Sequence, residues 1–358
     1  MSDVFVLGVG CTPFGRHPGS DIRRLAADAI VAAAGDAHLE LGAIEAAFFA
    51  NSTQGHFDGQ HALRGPVALR HAGFRNGFVT SVENACAGGL TAFTLAVQAI
   101  RAGACDVAVA VGAEKLVDFD KAKSFAAFES GVDLGEPEAL ADGLAALAGN
   151  QPVEAGARRR SRMMDIYAAL AAFHMRTYGT TETQLAQVAA KNRRVGALNP
   201  LAAIQRAMTV EEVLAADRVA GPLTVPMCAP LTDGAAAVIL ASPRVAASRR
   251  GSAVRVRAAR VQTGEARAAE RIDRHVSRLT SLRAYEDAAL GPDDIDLAEV
   301  HDATALGEIL QSELLGFCAP GEGGALVSSG ETSLGGRRPI NLSGGLESKG
   351  HPLGATGL

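Results

Sequence analysis

Short apolar runs alternate along the chain with stretches whose apolar positions recur every three or four residues. Val4–Gly10 is an apolar run that ends before a Pro and Gly turn. It is followed by DIRRLAADAIVAAAGDAHL, in which Leu25, Ala29, Ala32 and Ala33 fall at helical spacing. The pattern predicts a buried strand and then an amphipathic helix. IEAAFFAN is again strand-like, VTSVENACAGGLTAFTLAVQAIRAG joins a strand to a helix, and CDVAVAVGAE is an alternating apolar strand that reaches Gly112. Repeated β–α–β grammar of this kind predicts an α/β fold.

The grammar returns late in the chain. AVRVRAARVQTG (253–264) is similar to the first strand, AYEDAALGPDDIDLAEVHDA (284–303) parallels the helix, turn and strand of 26–51, and LGEILQSELLG reads as the next helix. Asn51 and His301 are the polar residues that close the two corresponding strands. The parallel implies an internal duplication, with one half at 1–115 plus 226–250 and the other at 251–358. Between them, 116–225 is rich in Ala, Arg and Met and carries helical patterns such as MMDIYAALAAFHMRTYG and QLAQVAAKNRRVG. It is expected to be a helical excursion over the sheet, from which PLTDGAAAVILAS (230–242) returns the chain to its first sheet.

Composition narrows what such a fold can do. A length of 358 residues suggests two domains, and 48% hydrophobic against 20% charged residues describes packed structure rather than disorder. Lys and Arg total 34 against 39 Asp and Glu, a net charge of −5 that gives no global attraction for nucleic acid or anionic membrane. Three Tyr and no Trp offer no stacking platform for bases. The first residues lack a signal-peptide pattern and no apolar run is long enough to span a bilayer, so a cytoplasmic protein is expected. Five widely spaced cysteines without a Cys-x-x-Cys pair argue against disulfides and structural zinc. GVGCTPFG (8–15) has Pro13 in place of the third glycine of a dinucleotide fingerprint and is expected to be a turn.

Two segments carry candidate chemistry. Cys86, in ENACAGGLTAF, lies between a strand and a helix, where the unpaired N–H groups and the positive end of the helix dipole favour thiolate. The small residues Ala85, Ala87, Gly88 and Gly89 leave room for a substrate carbonyl to approach the Cys86 N–H. Taken alone, a cysteine is more often a small buried hydrophobe. His351 lies in INLSGGLESKGHPLGATG (340–357), a glycine-rich segment whose tight turns would fix an imidazole in place.

NACAGG, with GGLESKGHPLGATG about 260 residues later, resembles the thiolase superfamily. HDA at 301–303 resembles the branch typified by the sterol carrier protein x thiolase, as do KNRRVGALNP (191–200), PLTDGAAAV, MDIYAALAAFHMRTYGTT and LGFCAPGEGG (315–324). The resemblance spans essentially the whole chain. It implies a thiolase fold of two duplicated α/β halves in five layers, α-β-α-β-α. It also implies an acyl-CoA C-acyltransferase that uses a coenzyme A thioester as substrate, with no tightly bound cofactor and no metal. Cys86 would attack the thioester, His351 would take its proton, and His301 would help bind the thioester oxygen of the second substrate. Arg158 and Arg159, in a basic run with Arg160 and Arg162, would meet the CoA phosphates or form a solvated helix face; Gly350 is expected as a further CoA contact. The resemblance implies a homodimer and a small zinc-ribbon and OB-fold partner protein.

The chain departs from that pattern twice. The residue after His–Asp is normally a second, acid/base cysteine, whereas Ala303 and Thr304 occupy these positions. Either another group substitutes, with His351 and His301 the nearest by motif and Cys318 read as structural, or the enzyme does not abstract an α-proton in the usual manner. The chain also stops at Leu358, directly after GHPLGATG, where family members continue with a glycine loop that supplies a second oxyanion N–H. The expectation is therefore either a truncated C-terminal half or C-terminal strands that come from elsewhere. Two other readings stand beside acyl transfer: a retro-aldolase acting on a steroid-type acyl-CoA, whose relatives use tyrosines in place of the nucleophile, and a non-catalytic CoA-binding subunit.

Overall fold

The computed structural model describes residues 2–149, 160–249 and 253–358. Its strands are β1 (Phe5–Cys11), β2 (Ala46–Ala50), β3 (Phe78–Val82), β4 (Val107–Glu114), β5 (Arg218–Ala220), β6 (Leu223–Thr224), β7 (Gly234–Ala241) and β8 (Val254–Arg255). Six of them form one mixed sheet in the order β3-β2-β4-β7-β1-β8. β2 runs parallel to β3 and β4, while β7 is antiparallel to β4 and β1. The chain divides into two compact units, Met1–Phe119 with Leu231–Val261 and His351–Leu358, and Asp120–Pro230 with Gln262–Gly350.

In the first unit β4 and β7 are buried at every position, because helices cover both faces of the sheet. Alternation along β4 separates the two cores. Val107, Val109 and Val111 face the helix Ile22–Asp36, packing with Leu25, Ala29, Ile30 and Ala33. Ala108 and Ala110 face the helix Gly88–Arg101, packing with Ala92, Ala96, Val97 and Ile100. The helix Ile22–Asp36 starts where the Asp21 carboxylate accepts the Arg24 N–H, a side-chain N-cap.

The second unit is mainly helical. Arg162–Tyr178, Glu182–Gly196, Ala305–Leu314 and Gly323–Ser328 are its principal helices, around a core that includes Leu185, Val188, Leu223, Met227, Leu306 and Ile309. Thr181 and Gln184 form a reciprocal capping box that begins Glu182–Gly196. The short helix Gly345–Lys349 is entered by a sharp turn through Gly344.

Three segments differ from the expected pattern. GVGC is strand rather than turn: β1 continues through Cys11, and Gly8 and Gly10 serve close packing. A Cβ on Gly10 would overlap the Ala29 carbonyl and the Ala33 N–H of the covering helix. The expected strand at 253–264 shrinks to Val254–Arg255, which pairs with Phe5 and Val6 at the sheet edge. Alternating Val and Arg suits a strand, but pairing needs a partner: the ladder ends at Arg255, with one further bond from the Val256 N–H to the Val4 carbonyl at 2.8 Å. Likewise the segment before His301 makes a single bridge, Ala298 to Ile340, rather than a strand.

One close approach in the first unit brings the segment after residue 350 against the sheet. Gly112 lies on β4, and a Cβ there would overlap the Gly354 carbonyl and the Ala355 N–H. Gly112→Ala is therefore expected to lower stability by about 3 kcal/mol through overpacking against backbone, read as a shift of the chemical denaturation midpoint.

Candidate active site

Leaving β3 at Val82, the chain turns through Glu83 and Asn84 into a 3-10 turn, Ala85–Ala87, and then the helix Gly88–Arg101. Ala85 has φ 42°, a left-handed conformation that costs a non-glycine residue energy, and the Glu83 carboxylate accepts its N–H at 2.9 Å. This strained corner sets Cys86, half-buried, at the entrance to the helix.

The segment after residue 350 brings His351 to the same place. Its N–H donates to Thr232 Oγ1 at 2.8 Å, its Nε2 lies 3.3 Å from Cys86 Sγ, and its Nδ1 lies 2.8 Å from Thr356 Oγ1. The Thr356 hydroxyl has one proton and donates it to the Pro352 carbonyl at 3.2 Å. It therefore accepts from Nδ1–H, and this tautomer leaves the Nε2 lone pair facing the Cys86 S–H.

Beneath the pair sits Glu114, the last residue of β4, fully buried. Its Oε1 accepts from Asn51 Nδ2, the Thr53 N–H and Thr53 Oγ1 at 2.8, 2.9 and 2.6 Å. Its Oε2 accepts from the Ser52 N–H at 3.1 Å and the Gly354 N–H at 3.0 Å. One carboxylate thus ties the loop after β2 to the segment that carries His351. Burial raises the pKa of Glu114 and these hydrogen bonds oppose the rise. Asp233 plays a similar part nearby, with Oδ1 accepting the Leu116 and Val117 N–H groups and Oδ2 paired to Lys115 at 3.0 Å.

The expectation that the helix end favours thiolate is not met. Burial pushes the Cys86 thiol up to about 11, the Glu114 charge adds to the rise, and a backbone hydrogen bond only partly opposes it. The resting pair is a thiol beside an imidazole lone pair. That arrangement suits transfer of the proton at the moment the sulfur attacks an electrophile, rather than a standing thiolate.

His301 belongs to the second unit, half-buried on the segment that leads into Ala305–Leu314. Burial lowers its pKa, against a backbone hydrogen bond, so the ring is neutral at pH 7. Ala303 is buried and its carbonyl accepts the Ala229 N–H at 3.0 Å; Thr304 bridges to Cys228. Gly350, with φ 111°, ends the helix Gly345–Lys349. Arg158 and Arg159 lie outside the described residues; of the same basic run, Arg160 pairs with Asp165 at 2.6 Å and Arg162 with Glu129 at 3.0 Å. Glu114 and Thr356 escaped the motif reading. Thr356 lies inside GHPLGATG, five residues from the histidine it orients, whereas Glu114 carries no local signal beyond being a carboxylate at the end of an apolar strand.

Known proteins bear on this geometry. The family description "Thiolase, N-terminal domain" matches residues 4–244, and "Thiolase C-terminal domain-like" matches 258–358. An acetyl-CoA acetyltransferase of Methanothermobacter thermautotrophicus is 36% identical over 363 residues, covering 100% of this chain and 88% of that protein. Sterol carrier protein 2 of Bos taurus is 33% identical over 99% of this chain, which spans 64% of that protein's length. The benzoylsuccinyl-CoA thiolase subunit BbsB of Thauera aromatica is 30% identical over 99% of the chain and 86% of its own length. A solved structure, the Ltp2-ChsH2(DUF35) aldolase, shares the fold with a TM-score of 0.73 at 23% identity, covering 98% of this chain and 86% of that one.

The tautomer assignment can be tested by alkylating Cys86 with iodoacetamide and measuring the adduct by mass. Thr356→Val is expected to slow alkylation near pH 7 about tenfold, the equivalent of losing about 1.4 kcal/mol of orienting hydrogen bond. In His351→Ala the rate should instead climb steadily as pH rises toward about 11, where the buried thiol ionises unaided.

Proposed function

From the premise that the chain belongs to the thiolase family, whose members include the acetyl-CoA acetyltransferase and the benzoylsuccinyl-CoA thiolase subunit named above, we propose that it forms an acyl-Cys86 intermediate from an acyl-CoA and passes the acyl group to carbon. The observation that carries this reading is the 3.3 Å approach of His351 Nε2 to Cys86 Sγ, with Nδ1–H anchored on Thr356. In the first half-reaction Sγ bonds to the thioester carbonyl carbon while its proton passes to Nε2. The tetrahedral adduct then expels the CoA sulfur, which takes that proton back from the imidazolium. The Cys86 N–H, among small neighbours at the head of a helix, stabilises the oxyanion. His301, neutral at pH 7, donates a hydrogen bond to the thioester oxygen of the second substrate.

Ala303 shapes the second half-reaction. A methyl group moves no proton, so the acceptor is one whose carbon is already nucleophilic, such as an activated ketone or phenol. Run backwards, the same steps cleave a C–C bond and deliver the acyl group to CoA. The retro-aldolase reading leaves the thiol–imidazole pair without a task, and a non-catalytic subunit does not need it either.

Association belongs to the same proposal. β3 is the outer strand of the six-stranded sheet, with Phe78 44% exposed, and an uncovered edge of this kind suits pairing with a second copy across a two-fold axis. The small zinc-ribbon and OB-fold partner would be sought by co-purification.

Incubation with acetyl-CoA and longer acyl-CoAs, with intact mass as the readout, should show one acyl adduct that maps to Cys86 and is absent from Cys86→Ala. His351→Ala should slow its formation by at least about a hundredfold. No adduct with any acyl-CoA, or full turnover by Cys86→Ala, would overturn the reading.

A further inference from the structure

The second unit contains a buried acidic network that none of the chemistry above uses. Asn192 Nδ2, on the helix Glu182–Gly196, stands 3.0 Å from Asp302 Oδ2, 3.1 Å from Glu308 Oε2 and 3.0 Å from Glu347 Oε2. All four side chains are fully buried. The Asp302 carboxylate accepts the Leu346 N–H at 2.7 Å, Asn341 Nδ2 donates to Glu308 at 3.0 Å, and Lys191 Nζ lies 2.8 Å from Glu308 Oε1. The charged groups facing Glu347 are Asp302 from the segment before Ala305–Leu314, Glu308 from that helix, and Lys191 and Arg193 from Glu182–Gly196; the Cys228 thiol is the other titratable neighbour.

Two observations show that one proton is missing from a fully ionised network. The first is charge: three carboxylates against Lys191 and Arg193 leave one uncompensated negative charge in a site without water contact. The second is hydrogen bonding. An amide nitrogen has two protons but here meets three carboxylate oxygens, while Glu347 Oε1 and Asn192 Oδ1 are both buried acceptors with no donor. These two orphans belong to the same two side chains that already meet through Nδ2 and Oε2. A single proton on Glu347 Oε1 converts one orphan into a donor for the other.

We propose that Glu347 is a carboxylic acid in the folded protein and closes a two-bond acid–amide pair with Asn192, its Oε1–H donated to Asn192 Oδ1, so that it acts as a positioning residue for the adjoining His301–Asp302 segment. The positioning role rests on the part given to His301 above; the proton itself does not. Burial, with the Glu308 carboxylate, raises Glu347 from 4.5 to about 8 in the folded state, against the Asn192 hydrogen bond and the two cations; burial beside Glu347 and Glu308 raises Asp302 well above its ordinary value too, so the variants below separate the two carboxyls. A carboxyl whose folded value is raised contributes stability that is full below about 4.5 and is lost as pH rises through about 8.

Glu347→Gln keeps both hydrogen bonds, because its amide can donate to Asn192 Oδ1 and accept from Nδ2, and it removes the titration. Melting temperatures of the wild type and Glu347→Gln should be compared from about pH 5 to about pH 9. The variant's advantage should grow with pH and level off above about pH 8. Infrared difference spectra at neutral pH should show a protonated-carboxyl band in the wild type that Glu347→Gln lacks; this readout also decides the matter if the variant folds poorly. A pH-independent difference in melting temperature, absence of the band, or a band removed by Asp302→Asn and not by Glu347→Gln would overturn the assignment. In turnover, kcat/KM of the wild type should fall severalfold above about pH 8 and that of Glu347→Gln should not. An equal fall in both would overturn the positioning role. A protein inactive with every acyl-CoA but retaining the melting-temperature trend would count against acyl transfer alone.

Discussion

The first unit depends on a close backbone approach: the segment 352–357 lies against the ends of β2 and β4, where there is no room for side chains. Gly112 and Gly354 remove the Cβ atoms that would block it, and the Glu114 carboxylate fixes it by accepting from Gly354 on one side and from the loop after β2 on the other. A buried carboxylate is costly unless its lone pairs are filled, and five donors fill them here. The same contacts carry His351 to Cys86. Remove the approach and the imidazole has no reason to stand 3.3 Å from a sulfur 265 residues away in sequence.

Burial decides what that pair is. A helix N-terminus stabilises charge by at most a couple of kcal/mol, and only within its first turn, whereas taking a thiolate out of water can shift a pKa by several units. For Cys86 the second effect prevails and is reinforced by the charge of Glu114. A neutral thiol is a poor target for adventitious oxidants and alkylating agents, which react with thiolate. Its reactivity then depends on a base held in one tautomer, and the chain Pro352 carbonyl, Thr356 hydroxyl and Nδ1–H supplies that control from within a six-residue segment. The group that fixes the site also raises the nucleophile's pKa, so orientation and reserve come from one buried charge.

Much of this was legible in the sequence where the signal is local. The apolar runs located β1, β2, β3, β4 and β7, and the glycine-rich motifs singled out Cys86 and His351 before their proximity was known. What was not legible depends on partners distant in sequence. The Val-Arg alternation at 253–264 suits a strand, yet the ladder covers only Val254 and Arg255, with one more bond from Val256 to Val4. Gly8 and Gly10 belong both to the apolar run Val4–Gly10 and to the stretch 8–15 expected as a turn; what decides for the strand, and requires glycine there, is the covering helix. The thiol's pKa was misjudged for the same reason: the helix end is visible in the sequence, while the burial that outweighs it is not. Glu114 had no motif at all, since its importance lies in donors from residues 51–53 and 354.

The two units treat buried carboxylates in opposite ways, and the contrast explains why one is expected ionised and another protonated. Around Glu114 there are donors to spare, and each oxygen is matched by N–H or O–H groups. Around Asn192 the balance is reversed: three acidic side chains compete for one amide, and the nearest cation, Lys191, is committed to Glu308 and to the Ile340 carbonyl. Desolvation raises the cost of charge in both places, but only hydrogen-bond donors offset it locally. Where donors outnumber acceptors a carboxylate survives burial. Where acceptors outnumber donors the cheapest missing donor is a proton, and the carboxyl that takes it becomes a fixed, neutral member of the hydrogen-bond framework until the pH is high enough to remove it.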